Sequence, residues 1–329
     1  MATFVRTQSI AHRIGERGSV VLKVKSADVR LKGVSGDEAS VRATFEIRAT
    51  SDEEADRIFE ELKLRTDVGG SQLLIEERDG GADIGATISR LFGGGGHVVL
   101  SIEAQVPQAT ELRLEGASAD VQADGLRGAQ RYSTISGDLY LTDLGGSVRV
   151  NSVSGDLTIR ASEPIDVRVE AVSGDLSVIA PRLDGLRADT VSGDLEVEGE
   201  LGDGEFRVET VSGDLTVGLV GGATFAVRGL STDIRSELDH RIEGQRDRRR
   251  VVVGGGGPEF AFSSMSGDLA VRRPRRVEGR HAHDHEAGHR PEVPSAPSPD
   301  EELAVLRALE AGEIDVDEAA RRLGNRSDA

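Results

Sequence analysis

A His-Glu-x-x-His motif is the first arrangement in this sequence that could carry chemistry. His285, Glu286 and His289 in "HEAGH" match the pattern, which in zinc proteases places two histidines on one helical face and the glutamate beside a zinc-bound water. Gly288 lies inside the motif and Pro291 follows it, so a rigid helix is not expected there. We therefore predict no catalytic site. Loose metal capture is the alternative for the histidines of this stretch, His281, His283, His285 and His289.

A repeated Ser-Gly-Asp-Leu motif is the second such arrangement. It begins at Ser136, Ser154, Ser173, Ser192, Ser212 and Ser266, with relaxed copies "SADV" at Ser118 and "STDI" at Ser231. Successive copies from Ser118 to Ser231 are 18 to 20 residues apart. Stacked copies would set carboxylates about 4.8 Å apart, and a calcium ion would relieve their repulsion. The nine-residue repeat of calcium-binding β-rolls is absent, so we predict turns without metal, with a metal column as the alternative.

The residues around the motif alternate between apolar and polar. In "FRVETVSGDLTV", Phe206 and Val208 alternate with Arg207 and Glu209, and other copies repeat the scheme. Such alternation predicts two short, half-buried strands in each repeat, and a fixed period is typical of stacked coils. The predicted fold is all-β: a parallel β-solenoid of about 18–20-residue coils, with one helix inserted near the N-terminus and a small C-terminal helical hairpin. A β-sandwich is the alternative.

The motif itself is predicted to form a corner of each coil. Glycine tolerates positive φ, and serine and aspartate accept hydrogen bonds from turn amides that strand pairing leaves free. The predicted structural turn residues are Gly137, Asp138, Gly155, Asp156, Gly174, Asp175, Gly193, Asp194, Gly213, Asp214, Gly267 and Asp268.

The chain is predicted to contain four regions. They are a β-rich capping region with a helix at 51–63 (1–115), the repeat solenoid (116–272), a disordered linker rich in Arg, His, Pro and Ser (273–297) and a helical hairpin (298–324). Ser51 and Glu54 form a capping box for the first helix. The gap between Ser231 and Ser266 predicts a charged hairpin that protects the final edge of the solenoid. The segment "GGGGPEFAFSSMSGDLAV" after it is predicted to be the last coil.

The C-terminal hairpin is the predicted partner-binding element. Leu303, Leu306 and Leu309 line one face of its first helix, and Val316 belongs to its second. About 27 residues cannot bury a stable core alone, so we expect the hairpin to bind a protein partner or a second copy of the chain.

Composition excludes several classes of function. The formal net charge of −18 argues against nucleic acid and anionic lipid as general partners. The absence of cysteine excludes disulfides and thiolate metal sites. Two tyrosines and no tryptophan leave few platforms for stacking sugars, and no nucleophile elbow, phosphate loop or dinucleotide motif is present. We therefore predict no cofactor and no enzymatic activity.

Location is predicted from apolar segments. The N-terminus has no apolar run of signal-peptide length, and no stretch is long enough for a spanning helix, which predicts a cytoplasmic protein. Leu91 and Phe92 lie in a glycine-rich loop. We expect them to fold back onto the core, with peripheral membrane or partner contact as the alternative.

The repeat resembles a known bacterial family. The copies "TVSGDL" and "SVSGDL", the segment "VPQATELRLEGASADVQADGL" and the closing "VVVGGGGPEFAFSSMSGDLAV" are similar to the β-strand-repeat domain of unknown function, often labelled "putative adhesin", of YvlB-like proteins. The resemblance covers roughly residues 10–272. The tail "LRALEAGEIDVDEAARRLG" looks like the small helical module that accompanies this domain in YvlB-like and LiaX-like proteins. The resemblance implies a role near the cell envelope in stress response, and it supplies no catalytic residues.

Three hypotheses for function follow. The first is a non-enzymatic scaffold or interaction protein with a tethered helical hairpin. The second is a cell-envelope stress-response or adhesion module, and the third is a solenoid carbohydrate hydrolase.

Overall fold

Two rows of stacked β-strands make up the part of the chain that the computed structural model describes, residues 2–78, 98–245 and 248–275. The elements in it are β1 (Ala2–Arg13), β2 (Ser19–Ser26), β3 (Asp28–Val34), β4 (Glu38–Ala49), α1 (Asp52–Leu62), β5 (Arg65–Gly69), β6 (Gln72–Glu76), β7 (Val98–Pro107), β8 (Glu111–Ser118), β9 (Val121–Asp124), β10 (Ala129–Ser136), β11 (Leu139–Ser152), β12 (Leu157–Ala171), β13 (Leu176–Asp189), β14 (Leu195–Leu201), β15 (Phe206–Ser212), β16 (Leu215–Val220), β17 (Ala223–Ser231), β18 (Ile234–Ser236), β19 (His240–Gln245), β20 (Arg248–Val253), β21 (Glu259–Ser266) and β22 (Leu269–Arg272).

Parallel pairing joins equivalent strands of successive coils. The first row, whose strands lead into the Ser-Gly-Asp corner, has the order β2–β8–β10–β11–β12–β13–β15–β21–β17. The second row, which leaves the corner, has the order β3–β9–β11–β12–β13–β14–β16–β22–β18. The long strands β11, β12 and β13 bend at irregularities in register and belong to both rows. The predicted parallel β-solenoid is confirmed.

The core lies between the two rows because the inward-facing positions of each strand are apolar. In β15, Phe206 and Val208 are buried, whereas Arg207 and Glu209 between them remain partly exposed. The leucine that follows each Ser-Gly-Asp corner is also buried, as Leu157 and Leu195 show. Valine, leucine and isoleucine thus form one continuous core along the stack.

Antiparallel strands flank the parallel stack at its two ends. Strands β4 and β1 extend the second row beyond β7, and β5 pairs with β6 in the first row. At the other end, β20 pairs with β17 and β19 pairs with β20. The hairpin of β19 and β20 lies within the segment predicted to form one. Each residue of the outer strand β19 is exposed, and the strand carries Arg241 and Glu243, charges that disfavour pairing with another chain.

The order of the coils in space differs from their order in sequence. The last coil of the sequence, β21–β22, was expected at the end of the stack, and this prediction is wrong: the coil lies between β15–β16 and β17–β18. Phe260 in β21 pairs with Phe206 on one side and Phe225 on the other. The ring centroids are 5.9 and 5.4 Å apart. The repeat period in the sequence shows how many coils there are but not their order in space. The observed order buries all three aromatic rings, which favours it.

The same exchange occurs at the N-terminal end of the stack. Strands β2 and β3 lie between β6–β7 and β8–β9, so the first coil of the sequence is also an inner one. At both ends of the repeat region, coils that are neighbours in the stack are therefore not consecutive in the sequence.

The single described helix, α1, lies within the predicted range 51–63. The Ser51 hydroxyl accepts a hydrogen bond from the Glu54 amide over 3.2 Å, as a capping box requires. The Glu54 carboxylate accepts from the Thr50 amide over 2.6 Å, one residue before the position expected. Hydrogen bonds from the Thr50 hydroxyl and amide lower the pKa of Glu54 below its ordinary value. Phe59 packs edge-on against Phe45 of the core.

The chain divides into two units, Met1–Arg276 and Val277–Ala329. From residue 276 onward, the predicted linker and helical hairpin lie outside the described residues.

The aromatic stack gives a test of the exchanged coil order. Phe260→Ala removes the middle ring of three and should lower the free energy of unfolding by about 3–5 kcal/mol. Val99→Ala, at a side chain 51% exposed, is the control and should cost less than about 1 kcal/mol. Urea denaturation of both variants measures the difference, and equal losses would contradict the placement of Phe260 between two coils.

Candidate functional site

The Ser-Gly-Asp corners form a column along one edge of the solenoid. Five of the predicted turn glycines have positive φ angles between +114° and +143°, and these are Gly137, Gly155, Gly174, Gly193 and Gly213. Gly267 is not among the residues with positive φ. A second constraint applies to Gly267 as well as to the other five.

This second constraint is the close approach of the neighbouring coil. A Cβ on Gly174 would lie 2.1 Å from the carbonyl oxygen of Gly155, and one on Gly193 would lie 2.1 Å from that of Gly174. The same holds for Gly267, where the atom would lie 2.1 Å from the Gly213 oxygen. Backbone occupies the volume of the missing side chain, so any other residue would push the coils apart.

The aspartates of the corners form a ladder of hydrogen bonds. In each bond the amide of one aspartate donates to the Oδ1 atom of the aspartate on the adjacent coil, over 2.8 to 3.0 Å. The donor and acceptor pairs are Asp138 to Asp120, Asp156 to Asp138, Asp175 to Asp156, Asp194 to Asp175, Asp214 to Asp194, Asp268 to Asp214 and Asp233 to Asp268.

Each aspartate also links to the coil on its other side. The backbone oxygen of Asp194 accepts from the Leu176 amide over 2.9 Å, while its side chain accepts from the Asp214 amide. Charge-assisted bonds from amides offset part of the mutual repulsion of the carboxylates. In the described parts of the chain, no group of three His, Cys, Asp or Glu side chains is arranged to hold a metal ion.

A second polar cluster lies away from the Ser-Gly-Asp corners. Asp143, the one non-glycine residue with positive φ among those described, accepts from Arg127 over 2.9 Å and from the Ser162 hydroxyl over 2.5 Å. Arg127 also donates to Glu163 over 2.8 Å. The bonds from Ser162 and Arg127 hold the pKa of Asp143 below its ordinary value. The lowered pKa keeps the Asp143 carboxylate ionised beside Arg127.

An exposed apolar column runs beside the corners. The residue before the motif serine on each of seven coils is apolar and between 44% and 78% exposed. In spatial order these residues are Ile135, Val153, Val172, Val191, Val211, Met265 and Leu230, and we call them the corner ridge. In the described part of the chain they are seven of the thirteen exposed large apolar side chains. Pairing of the strands sets neighbouring ridge residues about 4.8 Å apart.

The sequence analysis did not identify the corner ridge, although its signal is present. Alternation places Phe206, Val208 and Thr210 inward and therefore Val211 outward, where an apolar residue is unexpected. The same reasoning applies to every copy of "VSGDL". An apolar residue at an outward position, repeated at a fixed period, indicates a continuous surface strip.

Several predicted residues lie outside the described part of the chain. They are Leu303, Leu306, Leu309 and Val316 of the predicted hairpin, the histidines His281, His283, His285 and His289, and the loop residues Leu91 and Phe92. Within residues 2–78, 98–245 and 248–275, no helix has the length and apolar character needed to cross a membrane.

The fold and its corners define a protein of stacked β-strand repeats. Residues 15–272 match the model of the Toastrack DUF4097 family, and the chain belongs to this family. The predicted resemblance to a β-strand-repeat domain of unknown function is thereby confirmed. No curated protein matches the chain.

Three solved structures are similar to the chain at low identity. A "Putative lipid binding protein" from Parabacteroides distasonis is 16% identical, with 80% of this chain and 96% of that one covered and a TM-score of 0.39. A "putative adhesin" from Bacteroides fragilis is 11% identical, with 81% and 97% covered and a TM-score of 0.39. A "putative cell adhesion protein" from Clostridium sporogenes is 7% identical, with 82% and 100% covered and a TM-score of 0.23. Similarity at this level carries over no function.

The close approach of the coils predicts the effect of a methyl group at the corner. Gly174→Ala should lower the free energy of unfolding by at least about 1–3 kcal/mol, since it combines an unfavourable φ with a backbone clash. Gly36→Ala is the matched control, because its φ is +134° but nothing lies within 4 Å of the added Cβ. Urea denaturation should show a smaller loss for Gly36→Ala, and equal losses would mean that the neighbouring coil does not constrain Gly174.

The aspartate ladder predicts a difference between two substitutions of one residue. Asp175→Ala removes the acceptor for the Asp194 amide and should cost about 0.5–1.5 kcal/mol. Asp175→Asn keeps an oxygen at that position and should cost less. Thermal unfolding of the two variants compares them, and an Asn variant as unstable as the Ala variant would show that the accepting oxygen contributes nothing.

Proposed function

We propose that this protein is a non-enzymatic interaction scaffold whose solenoid binds a second copy of the chain along the corner ridge. The observation that carries the proposal is the ridge itself. Exposed apolar patches of several hundred Å² on soluble proteins commonly mark interaction sites. Seven apolar side chains in one line, each at least 44% exposed, form a continuous apolar strip.

The regular spacing of the ridge favours a second copy as the occupant. Ridge residues repeat at about 4.8 Å, and a second ridge of the same protein has the same spacing. Two such ridges placed antiparallel can interleave their side chains along their whole length, and a two-fold axis makes the contact self-complementary. Four of the seven residues are valines and one is isoleucine, so most of the strip consists of stiff, branched side chains.

Charge next to the ridge predicts the salt dependence of this association. The aspartate column lies three residues after the ridge position in each repeat, and Glu170 and Glu209 lie two residues before it in their repeats. Two copies therefore bring acidic groups near one another. Added salt screens this repulsion while it leaves the apolar contact intact, so association should strengthen as ionic strength rises.

The absence of enzymatic activity belongs to the same proposal. Its support is the hydrogen bonding of the carboxylates: the corner aspartates accept from backbone amides, and Asp143 accepts from Arg127 and Ser162. These bonds, all to Oδ1 atoms, hold the carboxylates in fixed positions within the fold, which favours a structural role for them.

The C-terminal segment supplies a second part of the proposal. Leu303, Leu306, Leu309 and Val316 would bind a protein partner or reinforce the dimer, because a flexible linker gives even a weak contact a high effective concentration. Cytoplasmic residence, with a role in the response to envelope stress, is the proposed setting. Fractionation of native cells tests it, and recovery outside the cytoplasm would overturn it.

Sedimentation equilibrium of ridge variants tests the central part of the proposal. Replacement of Val153, Val172 and Val191 by Thr keeps the branched shape but removes apolar contact, and should weaken self-association at least about tenfold, or about 1.4 kcal/mol. The matched control replaces Val68, Val99 and Val220 by Thr, since these valines are equally exposed elsewhere. It should associate as the unchanged protein does.

Two outcomes would contradict the proposal. One is a protein that stays monomeric at high concentration and high salt, and the other is an equal loss in the ridge and control variants. A chain that ends at residue 297 separates the two contacts: it should keep the ridge-dependent association and lose only what the C-terminal segment adds.

A further inference from the structure

A column of six arginines crosses the outer face of the first row. Arg113, Arg131, Arg149, Arg168, Arg187 and Arg207 occupy the same position on six successive coils and pair in register. Neighbouring positions are about 4.8 Å apart, and like charges directly opposite one another destabilise a sheet. A chain with a net charge of −18 has carboxylates enough to neutralise such a column.

Four of the six arginines are neutralised by an acidic residue two positions away on the same strand. Arg113 contacts Glu115 over 2.6 Å, and Arg187 contacts Asp189 over 2.9 Å. Arg168 lies 3.7 Å from Asp166, and Arg207 donates to Glu209. The acidic neighbours thus follow a simple rule along the strand.

Arg131 and Arg149 are the exceptions to this rule. Two residues after them lie Ser133 and Asn151, and two residues before Arg149 lies Ser147, none of which is charged. Among the described residues, neither guanidinium takes part in an ion pair or a hydrogen bond. The two side chains are partly exposed neighbours on β10 and β11. The middle of the column therefore carries two adjacent uncompensated positive charges.

Acidic residues border this pair on the outer coils. Glu115 pairs with Ser133, and Glu170 pairs with Asn151, on opposite sides of the two central coils. Asp166 pairs with Ser147 in the same way. Two surface depressions, of about 550 and 260 Å³, are both lined by Arg131 and Arg149. An anion that fits between these carboxylates must be compact.

We propose that Arg131 and Arg149 bind a single phosphate or sulfate group. Guanidinium groups bind tetrahedral oxyanions through paired N–H donors, and two of them match the charge of a dianion. Asn151, Ser133 and Ser147 add side-chain donors around the pair. A long polyanion lying along the column would meet Glu115 and Glu170, so the site favours one isolated group. This site goes beyond the proposed function and does not depend on the corner ridge.

Titration with inorganic phosphate, followed by NMR of the arginine Nε–H groups at low salt, tests the proposal on the full chain. Saturable shifts should be confined to Arg131 and Arg149. The double substitution Arg131→Gln and Arg149→Gln should weaken binding at least tenfold. The control, Arg187→Gln with Arg207→Gln, removes the same charge from the same column and should change the affinity less than twofold.

Vesicles distinguish the sources of the phosphate group. Cosedimentation with phosphatidic acid vesicles, but not with phosphatidylcholine vesicles, that is lost with Arg131→Gln and Arg149→Gln would assign the site to a lipid headgroup. Phosphate binding without cosedimentation would assign it to a soluble phosphate compound. Absence of saturable phosphate binding to the unchanged protein, or equal weakening in the two double variants, would overturn the proposal.

Discussion

The distance between neighbouring coils at the Ser-Gly-Asp corner is the constraint on which the rest of the structure depends. Strand pairing sets the coils about 4.8 Å apart. At the corner this spacing leaves no room for a Cβ, since the carbonyl oxygen of one glycine occupies that volume on the next. The corner also leaves amides without strand partners, and the aspartate ladder satisfies them. Glycine and aspartate therefore recur together because glycine permits the close approach of adjacent coils and aspartate forms hydrogen bonds between them.

Because the coils stack in register, the residues at one position of each repeat form a column along the surface. A valine before the serine becomes the corner ridge, and an arginine in the first strand becomes the arginine column. The chemistry of the outer face is therefore organised in columns. A change within one coil, such as Ser133 or Asn151 in place of an acidic residue, interrupts a column and creates a local site.

The sequence predicts the repeat well and the surfaces poorly, for physical reasons. Alternation around "VSGDL" identifies the strands, the buried leucines and the solenoid, because each depends on local pattern. The order of the coils depends on contacts such as Phe260 with Phe206 and Phe225, which no period encodes. The corner ridge could have been found, since Val211 is apolar at an outward position. The unpaired state of Arg131 and Arg149 needed the register between strands.

Hydrogen exchange of the corner amides in the unchanged protein tests the account most directly. The amides of Asp156, Asp175 and Asp194 lie at exposed positions but donate to carboxylates of the adjacent coil, so they should exchange slowly. Exchange of these three aspartate amides at the rates of an unfolded chain would contradict the ladder.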